Sequence, residues 1–224
     1  MAKSNVEFLA YEETPLGPLC LRRRELLSQP GVVVTEVTLN HEFLMSSLYT
    51  DSEQALSRLA IQMHGGDHLR VMVAGLGLGY TAFEALKSDR VDHVEVIELL
   101  PQVIGWMNDG LTPLSRQLSG DPRLLVTHAD AFSKLASDPE THYDLILIDV
   151  DHSPDDRLGA GESLTFYSSG GLLSAKQHLR PGGVLGVWSY AESSPFSEAL
   201  RASFNTVLAE PITHQNELIH EAHT

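Results

Sequence analysis

LRVMVAGLGLGYTAFEALKSDRVDHVEVIE, residues Leu69 to Glu98, decides the fold. The apolar run Val71-Met72-Val73-Ala74 leads into Gly75, Gly77 and Gly79. A helical pattern follows from Tyr80 to Lys87, and a second β-branched run (Val94, Val96, Ile97) ends in Glu98. Strand, glycine turn, helix and strand in that order make a βαβ unit suited to a nucleoside. Gly75 permits the tight turn, Gly77 lets a ligand approach the backbone, and Gly79 lets the helix pack close to the strand. Glu98 stands about 20 residues past the last glycine, where a carboxylate can accept hydrogen bonds from both ribose hydroxyls.

The G-x-G-x-G spacing brings the third glycine one residue earlier than the dinucleotide pattern G-x-G-x-x-G. It is similar to the loop of S-adenosylmethionine-type folds, which hold a nucleoside without a pyrophosphate. An adenosyl sulfonium is therefore favoured over NAD.

Outward from this unit, residues 6–47 lack a helical period and carry β-branched runs (Val32, Val33, Val34, Val37) around a Pro30-Gly31 turn. They predict a small antiparallel hairpin or meander, with Arg22, Arg23 and Arg24 on a solvated face. A helix is expected from Thr50 or Asp51 to about Met63, ended by Gly65-Gly66. Beyond Glu98, Pro101 opens a helix with Val103, Ile104 and Met107 on its buried face. Leu124-Leu125-Val126 predicts a third strand, running into His128-Ala129-Asp130-Ala131-Phe132. Asp144 to Asp149 (DLILID) predicts a fourth, buried on both faces. Leu172 to Leu179 reads as a helix stopped by Pro181-Gly182-Gly183, Val184 to Trp188 as a fifth strand, and Pro195 to Phe204 as a helix. Thr206–Ile212 with Leu218–His220 would form a closing antiparallel pair.

Alternating strands and helices predict an α/β, doubly wound, Rossmann-like and mainly parallel sheet. The expected division is a small N-terminal β region at 1–48 and a nucleoside-binding transferase domain at 49–224. In such sheets ligands bind beyond the carboxyl ends of the strands. Glu98, Asp130 and Asp149 are thus expected to converge on one crevice, although an acid such as Asp130 can equally cap a helix.

The chain has 224 residues and a formal net charge of −15, which disfavours nucleic acid and suits a cationic substrate. The single Cys20 excludes an internal disulfide and fits a reducing compartment. Met1 to Ala10 shows no signal-peptide pattern and no apolar run reaches the length of a membrane span, so a cytoplasmic protein without membrane contact is expected. His64, His68, His214, His220 and His223 have no zinc-ligand spacing, and no metal is assigned.

These motifs together resemble the polyamine aminopropyltransferase (spermidine synthase) family, within the class I methyltransferase-like Rossmann superfamily. The resemblance is carried by VMVAGLGLG, by VIE at Glu98, by HADAF, by YDLILIDVDHSP, and by the segment from Gly161-Glu162-Ser163-Leu164 into FYSSGGLLSAKQHLRPGGVLGVWS. It implies that Glu98 holds the ribose and that Asp130 with Ala131 recognises the adenine. Asp149 would orient the attacking amine and accept its proton, as the first acid of the family's Asp-Ser-Ser-Asp-Pro motif. The donor it implies is decarboxylated S-adenosylmethionine, the acceptor a polyamine, and the leaving group methylthioadenosine.

The departures are specific. Leu78 stands where the family's loop has an Asp for the donor's ammonium, and Glu53, Gln54 and Ala55 replace a Tyr-His-Glu cluster. The catalytic loop reads Asp149-Val150-Asp151-His152-Ser153-Pro154, with Asp151 and His152 as substrate-binding candidates. Losing an acid at position 78 also removes repulsion toward a carboxylate, so undecarboxylated S-adenosylmethionine is less disfavoured. An S-adenosylmethionine-dependent methyltransferase acting on a small molecule is therefore the alternative, and a nucleoside-binding homologue with decayed activity the third class. Asp149, Asp151 and His152 could hold a divalent ion, but no partner ligand is evident. The loop from Asp151 to Glu162 has the polar composition of a lid or of an exposed connection, and the N-terminal hairpin offers an edge for a homodimer.

Overall fold

A computed structural model describes residues 6–150, 163–216 and 221–223. The chain opens as a four-stranded antiparallel meander, β1 (Val6–Thr14), β2 (Gly17–Glu25), β3 (Val33–Leu39) and β4 (Glu42–Ser46). Strands β3 and β4 are joined by Asn40-His41, both at positive φ (50° and 67°). A two-residue turn of that hand matches the right-handed twist of the flanking strands. Leu19, Leu21, Val37 and Leu39 bury the inner face of the meander.

Helix α1 (Asp51–His64) follows, closed by Gly65 in the left-handed conformation. The central sheet then contains β5 (Leu69–Ala74), β6 (Val91–Glu98), β7 (Leu124–His128), β8 (Tyr143–Ile148) and β9 (Leu179–Val187). Its order is β7-β6-β5-β8-β9, and every pairing is parallel. Successive residues of a strand point to opposite faces, and the sequence supplies apolar side chains to both. Val71, Val73, Leu145 and Leu147 join one core with α1, α2 (Tyr80–Leu86), α3 (Pro101–Asn108), α4 (Ser115–Ser119) and the meander. Met72, Ala74, Ile146 and Ile148 join a second with α5 (Ala131–Ala136), α6 (Ser163–Phe166), α7 (Ser169–Gln177) and α8 (Ser194–Ser203). The doubly wound parallel sheet is thus the observed architecture. Strand order reverses direction between β5 and β8, which opens the crevice where such sheets bind ligands.

Three local expectations are corrected. Arg22 and Arg24 are not merely solvated, because both grip the carboxylate of Glu36, which is only 3% exposed, at 2.8 and 2.6 Å. Arg23 donates to the Leu111 carbonyl at 2.9 Å and so ties the meander to the segment that follows residue 108. The fifth strand starts at Leu179, before Pro181, and its register against β8 slips between Tyr143↔Leu179 and Leu145↔Val184. Proline has no N–H to give the ladder, which accounts for the interruption. The closing antiparallel pair is β10 (His214–Asn216) with β11 (Glu221–His223), not Thr206–Ile212, and Leu218–His220 lies outside the described residues. Among the described residues no helix is long and apolar enough to cross a membrane.

Burial holds the His178 imidazole below its ordinary pKa of 6.5, while its Nε2 meets the Ser137 carbonyl at 3.0 Å. The unfolded chain therefore takes up this proton at higher pH than the folded one, and the stability His178 confers is lost as pH falls below about 6.5. Urea unfolding at pH 7.5 and pH 5.5 should show a steeper acid loss for the wild type than for His178→Gln.

Candidate functional site

The glycine loop connects β5 to α2, and all three of its glycines have positive φ (95°, 51° and 91° for Gly75, Gly77 and Gly79). Side-chain-bearing residues rarely adopt that conformation. At Gly75 a Cβ would also collide with the Asp149 carbonyl oxygen, because the Asp149 N–H donates to the Ala74 carbonyl at 2.9 Å and draws the two strand ends together. At Gly79 the collision would be with Leu118, so this glycine admits α4 rather than the strand anticipated for it. A Cβ on Gly77 would lie 3.0 Å from the sulfur of Met45. The space above Gly77, expected for a ligand, is covered by a side chain of β4.

Glu98 ends β6 and is buried. Its Oε2 accepts from the Leu76 N–H and its Oε1 from the Leu100 N–H, both at 2.7 Å. Burial raises its pKa, and bonds from Leu100, Leu76, Gly77 and Leu99 amides oppose the rise. The carboxylate therefore anchors the glycine loop from within. Asp130 is the N-cap of α5, with Oδ1 accepting from Phe132 N–H at 2.9 Å and Oδ2 from the Ser133 hydroxyl at 2.8 Å. Ala131 is the buried first residue of that helix. Leu78 is 5% exposed and belongs to the core.

Asp149, just past β8, lines a cavity of about 20 Å³ with Met45, Ser46, Glu53, Tyr80 and the loop Leu76–Gly79. Neither Glu98 nor Asp130 is among the described residues that line it. Each anchors a different strand end. Oδ2 of Asp149 is bonded to the Thr81 hydroxyl, which also lies 3.2 Å from the Glu53 carbonyl oxygen. Oδ1 is sealed from solvent and has no hydrogen-bond partner among the described residues. Burial lifts the Asp149 carboxyl to about 7; the Thr81 bond opposes this and the charge of Glu53 adds to it. The Tyr80 phenol is also raised, chiefly by burial, with the Ser47 hydroxyl opposing and Glu53 reinforcing.

Of the residues lining this cavity, Tyr80 and Met45 were not found by motif spacing, and Glu53 was marked only as a departure from the Tyr-His-Glu cluster. One physical signal for Glu53 exists in the chain. A helix leading into a parallel strand runs antiparallel to it, so the first turn of α1 opens at the carboxyl end of the sheet. Asp151 and His152, and the loop to Glu162, lie outside the described residues. Among the described residues no group of three or more His, Cys, Asp or Glu side chains is placed to hold a metal ion.

Glu98→Gln keeps the shape of the anchor but turns one acceptor into a donor facing a backbone N–H. It should cost about 1–3 kcal/mol in urea unfolding and speed hydrogen exchange of the Leu76 and Leu100 amides. Unchanged stability would mean the carboxylate does not anchor the loop.

No family model matches the chain. Polyamine aminopropyltransferase 2 of Streptomyces coelicolor is 34% identical over 125 residues, which cover 55% of this chain and 22% of that protein. The polyamine aminopropyltransferase of Aeropyrum pernix is 30% identical over 131 residues, 58% of this chain and 40% of that protein. Putrescine N-methyltransferase 3 of Nicotiana tabacum is 27% identical over 124 residues, 55% of this chain and 30% of its own length. The chain thus spans less than half the length of these curated relatives. Among solved structures, spermidine synthase from Thermotoga maritima superposes with a TM-score of 0.64 at 15% identity, covering 89% of this chain and 65% of the other, and so shares the fold. Over somewhat more than half of its residues the chain is thus similar in sequence to polyamine aminopropyltransferases, and it shares the fold of a spermidine synthase.

Proposed function

We propose that the chain is an adenosyl-sulfonium-dependent transferase of aminopropyltransferase type. Decarboxylated S-adenosylmethionine would lie along the Gly75–Gly79 loop, with Glu98 toward the ribose and Asp130 and Ala131 toward the adenine. Asp149 would act as base toward an amine acceptor of the polyamine class. The observation that carries the proposal is the sealed, unpartnered Oδ1 of Asp149, on a carboxyl raised to about 7. A general base is most effective when its pKa lies near the working pH.

The proton balance follows from the amine. Alkylamines are mostly protonated at neutral pH and cannot attack in that form. Ionised Asp149 attracts the ammonium and takes one proton from its nitrogen. The neutral nitrogen then forms the new C–N bond as the carbon–sulfur bond breaks, leaving methylthioadenosine as a neutral thioether. The product amine carries the new positive charge, and Asp149 passes its proton to water. A cavity of about 20 Å³ admits one water-sized group, so a nucleoside on the loop requires the Met45 thioether to swing off Gly77. Methionine has the rotatable bonds to do so.

Methyl transfer from S-adenosylmethionine is the second possibility. It is favoured by Leu78, whose side chain packs in the core and offers no charge to a donor's tail, and by the putrescine N-methyltransferase relative. A pure nucleoside binder gains nothing from an enclosed carboxyl, which costs desolvation free energy. Self-association through the N-terminal meander, where Phe8, Tyr11 and Phe43 are exposed, completes the proposal.

Incubation with decarboxylated S-adenosylmethionine and putrescine, cadaverine or spermidine should release methylthioadenosine. Release of S-adenosylhomocysteine from S-adenosylmethionine would select methyl transfer instead. Asp149→Asn should lower kcat by about 10²-fold or more while nucleoside affinity stays within about threefold. Turnover surviving that change would remove Asp149 from the chemistry.

The same burial links Asp149 to stability. Folded Asp149 keeps its proton up to about 7, whereas the exposed carboxyl releases it near 3.8. Its stabilising contribution is therefore complete below 3.8 and lost as pH rises through 7. Asp149→Asn, which cannot ionise, should be more stable than the wild type at pH 8, by at most about 4 kcal/mol, and no more stable below pH 4. Urea midpoints at the two pH values test this.

A further inference from the structure

We infer that a second cavity, between the C-terminal halves of α1 and α2, is a binding site for a phosphate group carried on a small organic molecule, held by Arg58, Lys87 and Arg90. It is separate from the site proposed for transfer, and the two cavities share no lining residue.

The cavity has a volume of about 330 Å³ and opens to solvent. Small-molecule sites begin at about 300 Å³, so it has room for more than a bare ion. The chain has 15 Lys and Arg against 30 Asp and Glu, yet here three basic side chains line one space with a single acid, Glu84. A local excess of positive charge on an otherwise acidic surface concentrates anions.

Each cation is positioned by the chain. Glu84, whose side chain is 11% exposed, has Oε1 3.5 Å from Arg58 Nη1, and its Oε2 accepts from Lys87 Nζ at 2.7 Å. One negative charge is thus shared between two positive ones. Lys87 Nζ also lies 4.9 Å from the centroid of the Phe83 ring. Arg90 donates from Nε and Nη2 to the Gly66 carbonyl, while its Nη1 has no partner among the described residues. Its other neighbour, Asp67 at 3.2 Å, is 71% exposed, and pairs with such exposed acids contribute little.

Helix C-termini disfavour anions, but the end of α2 is covered. Arg123 donates to the carbonyls of Leu86 and Ser88. A phosphate suits the three cations because it carries close to two charges and three acceptor oxygens, and guanidinium forks bind two such oxygens at once. Ile61 and Gln62 supply an apolar wall and an amide for the organic part.

Calorimetry on the full chain at low salt tests this, with ribose 5-phosphate, pyrophosphate, ribose and citrate as probes. Ribose 5-phosphate should bind, ribose should not, and added NaCl should weaken the binding. Pyrophosphate binding as tightly as the ester would support the site and identify a free phosphate as the source. Arg58→Gln combined with Lys87→Gln should weaken ribose 5-phosphate by about 10-fold or more. Arg58→Lys, which keeps the charge, should lose less than Arg58→Gln. Arg201→Gln, at an exposed position on α8 across the sheet, should have no effect.

No binding of either phosphate to the wild type, undiminished binding in the double variant, or an equal loss in Arg201→Gln would overturn the inference. Citrate binding more tightly than both phosphates would also overturn it, by assigning the cavity to carboxylates. Methylthioadenosine release is an independent readout, so loss of the phosphate site leaves the transfer function standing.

Discussion

The structure depends on how closely the exit of β8 approaches the glycine loop. The Asp149 amide is bonded to the last carbonyl of β5, and its own carbonyl fills the place a side chain at residue 75 would need. That contact exists only because position 75 is glycine. It fixes where the carboxyl of Asp149 can go, which is into the space beneath the loop and against the start of α2. The parallel pairing of β5 with β8 and the reversal of strand order between them bring the two chain segments to the same edge. Without the pairing, the acid and the loop would have no common boundary.

Enclosure is what gives this carboxyl its character. Removing an ionised carboxylate from water is costly unless hydrogen bonds or charges replace the solvent. Glu98 and Asp149 lie at the carboxyl ends of the two strands that flank β5 and meet the cost differently. Glu98 receives amides on both oxygens, so burial is offset and the side chain becomes part of the scaffold. Asp149 receives one hydroxyl and faces a second acid, so the rise in its pKa is large. Two acids at the carboxyl edge of one sheet thus separate into a structural anchor and a group that can exchange a proton near neutrality.

The frame was legible in the chain because glycine, alternation and β-branching act locally. The run from Leu69 to Glu98 announces its strand, turn and helix through residues within a few positions of one another. DLILID announces a strand buried on both faces for the same reason. What was not legible depends on contacts between distant segments. Met45 covers Gly77 because a meander folded from residues 6–46 packs over the loop. Nothing near Gly77 in sequence reports that. Arg22 and Arg24 have the look of a solvated run until Glu36, on the paired strand, is seen buried between them. Asp130 fitted both a ligand contact and a helix cap, and the cap bonds are present. Glu53 was legible only as a departure from the Tyr-His-Glu cluster, because its place at the cavity comes from which end of a helix faces the sheet edge.

The Thr81 hydroxyl has one hydrogen but two neighbouring oxygens, the Asp149 carboxyl and the Glu53 carbonyl. While the carboxyl is ionised, that hydrogen can satisfy only one of them. Once the carboxyl is protonated, it can donate to the hydroxyl oxygen, which frees the hydroxyl hydrogen for the carbonyl, and both contacts are then made at once. The charge state of one strand end is thereby communicated to the first turn of α1 through the reorientation of a single hydroxyl rotor, with no movement of backbone.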